Sequence, residues 1–140
     1  MELKVKRISK DAKLPSYQHK GDAGMDIFAA MDCILGPGEA KAIPTGIKIA
    51  VPEGYVGLLW DKSGISLRGI HRLAGVIDSG YRGEVKVVMV NIGEDLFRVE
   101  KGMRIAQLLI QPAVEVNVVE TDEMGETTRG EEGFGSTGKY

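Results

Sequence analysis

The stretch Ile43-Pro-Thr-Gly-Ile-Lys-Ile-Ala-Val-Pro-Glu-Gly-Tyr-Val-Gly-Leu-Leu-Trp60 decides the fold. Ile47, Ile49 and Val51 alternate with Lys48 and Ala50, the period of two that puts one face of a strand into a core. Pro52-Glu53-Gly54 then punctuates the chain as a turn, and Tyr55–Trp60 follows as a second apolar run. The same alternation of run and turn extends in both directions. Leu3–Ile8, Leu73–Ile77, Glu84–Asn91, Arg104–Ile110 and Val114–Glu120 read as further strands. Gly36-Pro37-Gly38, Asp78-Ser79-Gly80, Gly93-Glu94-Asp95 and Lys101-Gly102 read as turns. Only Ser63–Ile70 offers a helical turn or two, and Ala12–Tyr17 reads as a loop. Short strands at even spacing predict an all-β fold, a compact jelly-roll-like barrel or sandwich.

At 140 residues the chain has the length of one domain with one sizeable core. No repeat or linker divides it. The expected organisation is a β domain over residues 1–120 and a glycine-rich C-terminal arm over residues 121–140. A formal net charge of −2 argues against a general nucleic-acid binder. A single cysteine, Cys33, excludes an intrachain disulfide and a cysteine-based zinc site. No apolar run has membrane-spanning length, and the charged start Met1-Glu-Leu-Lys-Val-Lys-Arg7 is unlike a signal peptide. The expectation is a cytoplasmic protein that does not engage membranes.

The arm carries the densest chemical signal: Arg129-Gly-Glu-Glu-Gly-Phe-Gly-Ser-Thr-Gly-Lys139. Its glycines leave backbone N–H groups open to cradle phosphate oxygens. Arg129, Ser136, Thr137 and Lys139 add charge and hydroxyls, and Phe134 offers a face for a planar base. Gly133 to Tyr140 comes within one residue of the P-loop pattern, but Tyr140 stands where a magnesium-binding hydroxyl is needed and no helix-forming sequence follows. A P-loop is therefore not expected.

Four more clusters precede the arm. Ala23-Gly-Met-Asp26 places a carboxylate just after a glycine. Asp61-Lys62-Ser63-Gly64 offers a cation, a hydroxyl and an unobstructed glycine N–H. Gly75-Val-Ile-Asp78-Ser-Gly-Tyr81-Arg-Gly83 is a hairpin with an acid at its mouth and an aromatic at its tip. Gly102-Met-Arg104-Ile-Ala-Gln107 sets a polar side chain in an apolar strand. Each alone has an ordinary reading: Asp26 and Asp78 as turn aspartates, Ser63-Gly64 as a turn dipeptide, Gln107 as an edge residue, Tyr81 as a half-buried strand aromatic. His19 and His71 have no evident ligand partners and read as structural or surface residues.

Taken together and in this order, the five clusters resemble the trimeric deoxyuridine triphosphatase (dUTPase) family, whose motifs are approximately A-G-x-D, R-S-G, G-x-I-D-x-x-Y-x-G, R-x-A-Q and R-G-x-x-G-F-G-[ST]-[ST]-G. The resemblance runs from Ala23 to Gly138. It implies a β-clip fold and hydrolysis of dUTP to dUMP and pyrophosphate, by water attack at the α-phosphorus with Mg²⁺ carried on the triphosphate. That reaction supplies dUMP for thymidylate synthesis and keeps uracil out of DNA. It further implies Asp78 as the general base and Asp26 as a supporting acid that reaches the metal only through water. The phosphates would fall to Lys62, Ser63, Gly64, Gln107, Arg129, Ser136 and Thr137. Uracil would be read by hairpin backbone at Gly75 and Ile77, with Tyr81 under the deoxyribose and Phe134 and Gly135 closing over the base. A homotrimer with shared sites is also implied. Trp60, Met89 and the run Val85–Val90 fit either subunit contacts or an internal core.

The chain departs from the pattern in having Lys62 for the usual arginine and Asp61 for the usual proline, so the phosphate grip lacks a planar bidentate fork. Two other readings compete. A dCTP deaminase on the same fold would want a glutamate base and arginine-serine-serine, and a non-catalytic dUTP-sensing module would bind without turnover.

Overall fold

The computed structural model describes residues 1–138; Lys139 and Tyr140 of the expected arm lie outside the described residues. The strands in chain order are β1 (Lys4–Arg7), β2 (Met25–Phe28), β3 (Cys33–Leu35), β4 (Ala40–Pro44), β5 (Ile47–Ala50) and β6 (Tyr55–Trp60). A one-turn helix, α1 (Ser63–Ser66), follows, then β7 (Ile70–Leu73), β8 (Val76–Ile77), β9 (Lys86–Asn91), β10 (Phe97–Val99) and β11 (Arg104–Pro112). Every pairing is antiparallel. The sheets run β1-β5, β3-β10, β4-β9-β7 and β2-β11-β6-β8. The all-β expectation holds, and the helical turn falls where it was expected.

The alternation that opened the sequence reading is realised in space. Ile47, Ile49 and Val51 are buried, as are Val85, Val87 and Met89 on the inward face of β9 and the turn before it. These residues share one hydrophobic core with Ile27, Leu35, Ile43, Phe97 and Leu108. Val85, Val87 and Met89 therefore belong to the core rather than to a subunit contact, while Trp60 at the end of β6 remains about half exposed.

Three expected strands differ. Ile43–Val51 is two strands, because Gly46 takes a positive φ of 70° and lets the chain pass from the β9 sheet to the β1 sheet. Thr45, buried at this corner, donates its hydroxyl to the Val85 carbonyl at 2.5 Å. Leu73–Ile77 likewise breaks at Ala74 and Gly75, both with positive φ, so β7 and β8 join different sheets. The expected strand Val114–Glu120 does not form. Its alternating valines are fully exposed, and the last tie of this segment to the body is the Ala113 N–H on the Gly54 carbonyl at 2.9 Å. A period-two pattern makes a strand only where a neighbouring edge completes the ladder.

Gly46 is fixed twice over. A Cβ there would meet the Ala12 Cβ at 2.9 Å, and the left-handed backbone costs a non-glycine residue about 1–2 kcal/mol. Overpacking adds about 1–3 kcal/mol, so Gly46→Ala should lower stability by about 3 kcal/mol and Tm by about 10 °C. A melting curve within about 2 °C of the parent protein would show that this corner relaxes freely.

Candidate active site

Strand β11 places the first group of site residues. It pairs with β2 on one side and β6 on the other, and its register sets Gln107 opposite Asp26 and opposite Trp60. Residues directly opposite in antiparallel strands project to the same face, so one row gathers residues 26, 107 and 60, with Asp61 and Lys62 continuing from its end. A bulge at Ile105, between the Arg104–Phe28 and Ala106–Ile27 pairs, shifts the register just before this row.

Asp26 is almost fully buried, and an ionised carboxylate in that setting requires partners. It has two: Lys62 Nζ at 2.5 Å from one oxygen and Arg104 Nε at 2.7 Å from the other. Arg104 also donates to Gln18 at 3.1 Å and lies over the Phe28 ring. No role for Arg104 came from the sequence, although it stands in the quoted motif beside Gln107. A signal was available in principle: an aspartate flanked by Met25, Ile27 and Phe28 is buried and needs cations.

Gln107 donates through Nε2 to the Asp61 carbonyl at 2.8 Å. Its other end explains the glycine of Ala23-Gly-Met-Asp26. A Cβ on Gly24 would come within 2.4 Å of Gln107 Oε1, so only glycine admits the amide there. Ser63 and Gly64 open α1, are exposed, and carry N–H groups too early in the helix for an intrahelical acceptor.

The hairpin of residues 75–83 forms a second group. Gly75 has a φ of 117°, and a Cβ on it would press on the Leu59 carbonyl at 3.0 Å. Tyr81 folds back across Gly83 to donate its hydroxyl to the Glu84 carbonyl at 3.0 Å, and a Cβ on Gly83 would strike the phenol. The backbone N–H of Tyr81 donates to the Asp78 carbonyl at 3.1 Å, closing the turn. Asp78 is exposed at the hairpin mouth, whereas Ile77 is buried. Between them lies a cleft of about 230 Å³ lined by Leu59, residues 74–78, Tyr81 and residues 84–86.

The two groups do not merge within one chain. In the sheet β2-β11-β6-β8, Asp26 lies on one outer strand and Asp78 directly follows the other, β8. The two are about 14 Å apart sideways across three strand spacings, and further offset along the strands because β8 pairs with Gly57 and Leu58 rather than with Trp60. Asp26, Lys62, Ser63 and Gln107 are absent from the hairpin cleft. The arm stands apart from both. Arg129 Nε donates to its own Glu132 carbonyl at 2.9 Å, Ser136 N–H to Gly133 at 3.1 Å, and Phe134 is fully exposed with a φ of 48°. Gly135 and Thr137 are exposed beside it.

A larger cleft, about 830 Å³, lies between residues 32–34, Lys41 and residues 98–101 and holds none of the expected site residues. Burial pushes the Cys33 thiol within it upward, the opposite of an activated nucleophile. Among the described residues, no three His, Cys, Asp or Glu side chains are grouped to hold a metal ion, and no helix is long and apolar enough to cross a membrane.

With this geometry in hand, comparison with known proteins is direct. The sequence model of the dUTPase family matches residues 10–138. The chain is 50% identical to the deoxyuridine 5'-triphosphate nucleotidohydrolase of Clostridium kluyveri, covering 99% of both chains. It is 47% identical to that of Clostridium tetani, covering 98% and 97% respectively. Among solved structures, the Staphylococcus bacteriophage 80alpha dUTPase with dUpNHpp aligns with a TM-score of 0.92 at 36% identity, over 99% of each chain. A mutant dUTPase from phage phi11 of S. aureus, whose structure details the coordination of a structural Mg(II) ion, aligns at 0.83 and 29% identity, over 89% of this chain and 99% of that one. The five clusters, the sheet that gathers three of them and a match across nearly the whole chain lead to one conclusion: this protein belongs to the dUTPase family.

Proposed function

We propose that the protein hydrolyses dUTP to dUMP and pyrophosphate, by attack of water on the α-phosphorus. The observation that carries this reading is the convergence on β11. Gln107 touches both Gly24 of the first cluster and Asp61 of the second, so motifs far apart in sequence become one surface. Lys62, Ser63, the Gly64 N–H and Gln107 hold the phosphate chain as fixed donors, which stabilise charge building on phosphoryl oxygens. From the arm, Arg129, Ser136 and Thr137 add further donors as residues 121–138 fold over the nucleotide. Phe134 then covers the base, with Gly135 giving the backbone room beside it, and closure excludes water from side reactions.

Asp78 is the general base. Its carboxylate is exposed at the hairpin mouth, where an attacking water has access. The backbone at Gly75 and Ile77 reads uracil, and cytosine would set a donor against a donor there, a mismatch that can cost orders of magnitude. Tyr81 packs under the deoxyribose and leaves no space for a 2′-hydroxyl.

The donor set fits magnesium delivered by the substrate rather than a resident ion. Mg²⁺ takes oxygen ligands, keeps several waters and binds chiefly through phosphates, and both Asp26 oxygens already face Lys62 and Arg104. When bound, the ion would neutralise charge on the triphosphate, with Asp26 reached through water.

The separation of the Asp26 row from the Asp78 hairpin supports a homotrimer in which each site combines groups from more than one copy. The exposed alternation Val114, Val116, Val118 gives the segment beyond β11 an apolar edge for a neighbouring copy to cover. A reducing, cytoplasmic setting suits the free thiol Cys33.

Pyrophosphate release from dUTP, dCTP, dTTP and UTP with Mg²⁺ tests the reading, with turnover of dUTP at least about 100-fold above the others expected. Ammonia release from dCTP would indicate the deaminase branch, and binding of dUTP without turnover a sensing module. Asp78→Asn should retain dUpNHpp binding and lose about 10²–10⁴-fold in kcat; wild-type kcat in that variant would remove Asp78 as base. Deleting residues after Met124 should leave the melting curve unchanged and remove most turnover. Unaltered kinetics in the truncated protein would refute closure by the arm.

A further inference from the structure

Asp61 stands where the dUTPase pattern has proline, and its neighbours show what it does instead. One carboxylate oxygen lies 2.5 Å from His71 Nδ1, and the other accepts the backbone N–H of Arg72 at 2.8 Å. Its backbone carbonyl accepts the Gln107 amide at 2.8 Å. One residue thus ties the chain after β6 to β7 through its side chain and to β11 through its main chain. Lys62 and Ser63, the phosphate donors, come immediately after it.

The same piece of β7 supports the hairpin. The Arg72 guanidinium lies over the Trp60 ring, 4.8 Å from its centroid, and Nη1 donates to the Ala74 carbonyl at 2.5 Å. Ala74 has a φ of 59°, rare for a residue with a Cβ, and Gly75 follows at 117°. This strained corner opens the hairpin that carries Asp78 and Tyr81. His71 and Arg72 therefore face the phosphate turn through Asp61 and the hairpin corner through Ala74.

We propose that Asp61 and His71 form a brace that sets the Lys62–Ser63 turn and Gln107 against the hairpin corner, making both of them positioning residues for dUTP hydrolysis. This rests on the dUTPase reading above. Proline would restrict the backbone here through its ring; aspartate restricts it through two side-chain contacts, to His71 and to the Arg72 N–H. Magnitudes separate the brace from an ordinary surface pair. The His71 side chain is 50% exposed and that of Asp61 26% exposed, so their attraction adds little to stability. A displacement of about 1 Å in a phosphate-binding group, by contrast, can cost about 100-fold in rate. The brace should therefore show in kinetics and hardly at all in melting.

The test uses the full-length protein and compares wild type with Asp61→Ala, Asp61→Asn, His71→Phe and the double variant Asp61→Ala/His71→Phe. Expected are Tm values within about 3 °C of wild type and a KM for dUTP raised about tenfold in Asp61→Ala and His71→Phe, with kcat lowered less than about threefold. A merely structural role would instead lower kcat through loss of folded enzyme and leave KM unchanged. Asp61→Asn, which keeps an acceptor for the Arg72 N–H, should recover part of the loss, and it remains readable if the alanine variant folds poorly. The double variant should be no worse than Asp61→Ala within about twofold, the signature of one shared interaction. Wild-type turnover of dUTP with both single variants unchanged, or with effects that multiply in the double variant, would overturn the brace alone. A wild-type protein unable to hydrolyse dUTP would overturn the functional reading and the brace with it.

Discussion

A strand paired on both edges must satisfy two registers at once, and β11 is that strand here. Its hydrogen bonds to β2 and to β6 fix Gln107 opposite Asp26 and opposite Trp60. A one-residue slip on either side would turn the amide to the other face. The cluster of Asp26, Gln107 and Lys62 depends on that constraint. Glycine at position 24 leaves room for the Gln107 amide, the Asp61 carbonyl receives it, and the turn bearing Lys62 then lies within reach of Asp26. The motif glycines serve close approach as much as turn geometry.

Electrostatics follows from the same row. A carboxylate buried as deeply as Asp26 would be heavily penalised if ionised and alone. Lys62 from one neighbouring segment and Arg104 from β11 itself remove that penalty. Lysine in place of arginine acquires a rationale here. Its single ammonium on a long stem reaches one carboxylate oxygen and leaves the other to Arg104, whereas a guanidinium fork tends to take both. Lys62 is thus the counterion of Asp26 in the free protein, and on the proposed reading an arriving triphosphate would compete with Asp26 for it.

Much of this was legible in the sequence, for identifiable reasons. The inward face of β5 followed from period-two alternation, and β6 matched its expected bounds because turns or polar residues flank it on both sides; β9 was legible as a strand, but which way its run Val85–Val90 faced was not. The candidate site residues stood out because glycines and polar groups occupy positions an ordinary core strand would not give them. What escaped depended on partners that a linear reading does not contain. The break at Gly46 is a change of sheet, visible only once β1 and β9 are known to claim its two halves. Ala74, a residue with a Cβ at positive φ, carries no turn signature at all. Among the described residues, short β3 and β10 pair only with each other, a partnership across about sixty residues that no local pattern announces. Arg104 and His71 looked unremarkable until Asp26 and Asp61 were placed beside them.

The segment after Pro112 carries this logic one step further. Val114, Val116 and Val118 have the alternation of a strand, yet in a single chain they lie fully in solvent. An apolar edge of that kind is normally covered or paired, because open edges invite association. The same chain holds Asp26 and Asp78 at opposite edges of one sheet, farther apart than a single phosphate can bridge. In the homotrimer proposed above one event would resolve both, the apposition of further copies that cover the valines and bring the hairpin of one to the Asp26 row of another. On that proposal assembly and completion of the candidate site are a single physical requirement, and the apolar chain left outside the core is the surface that meets it.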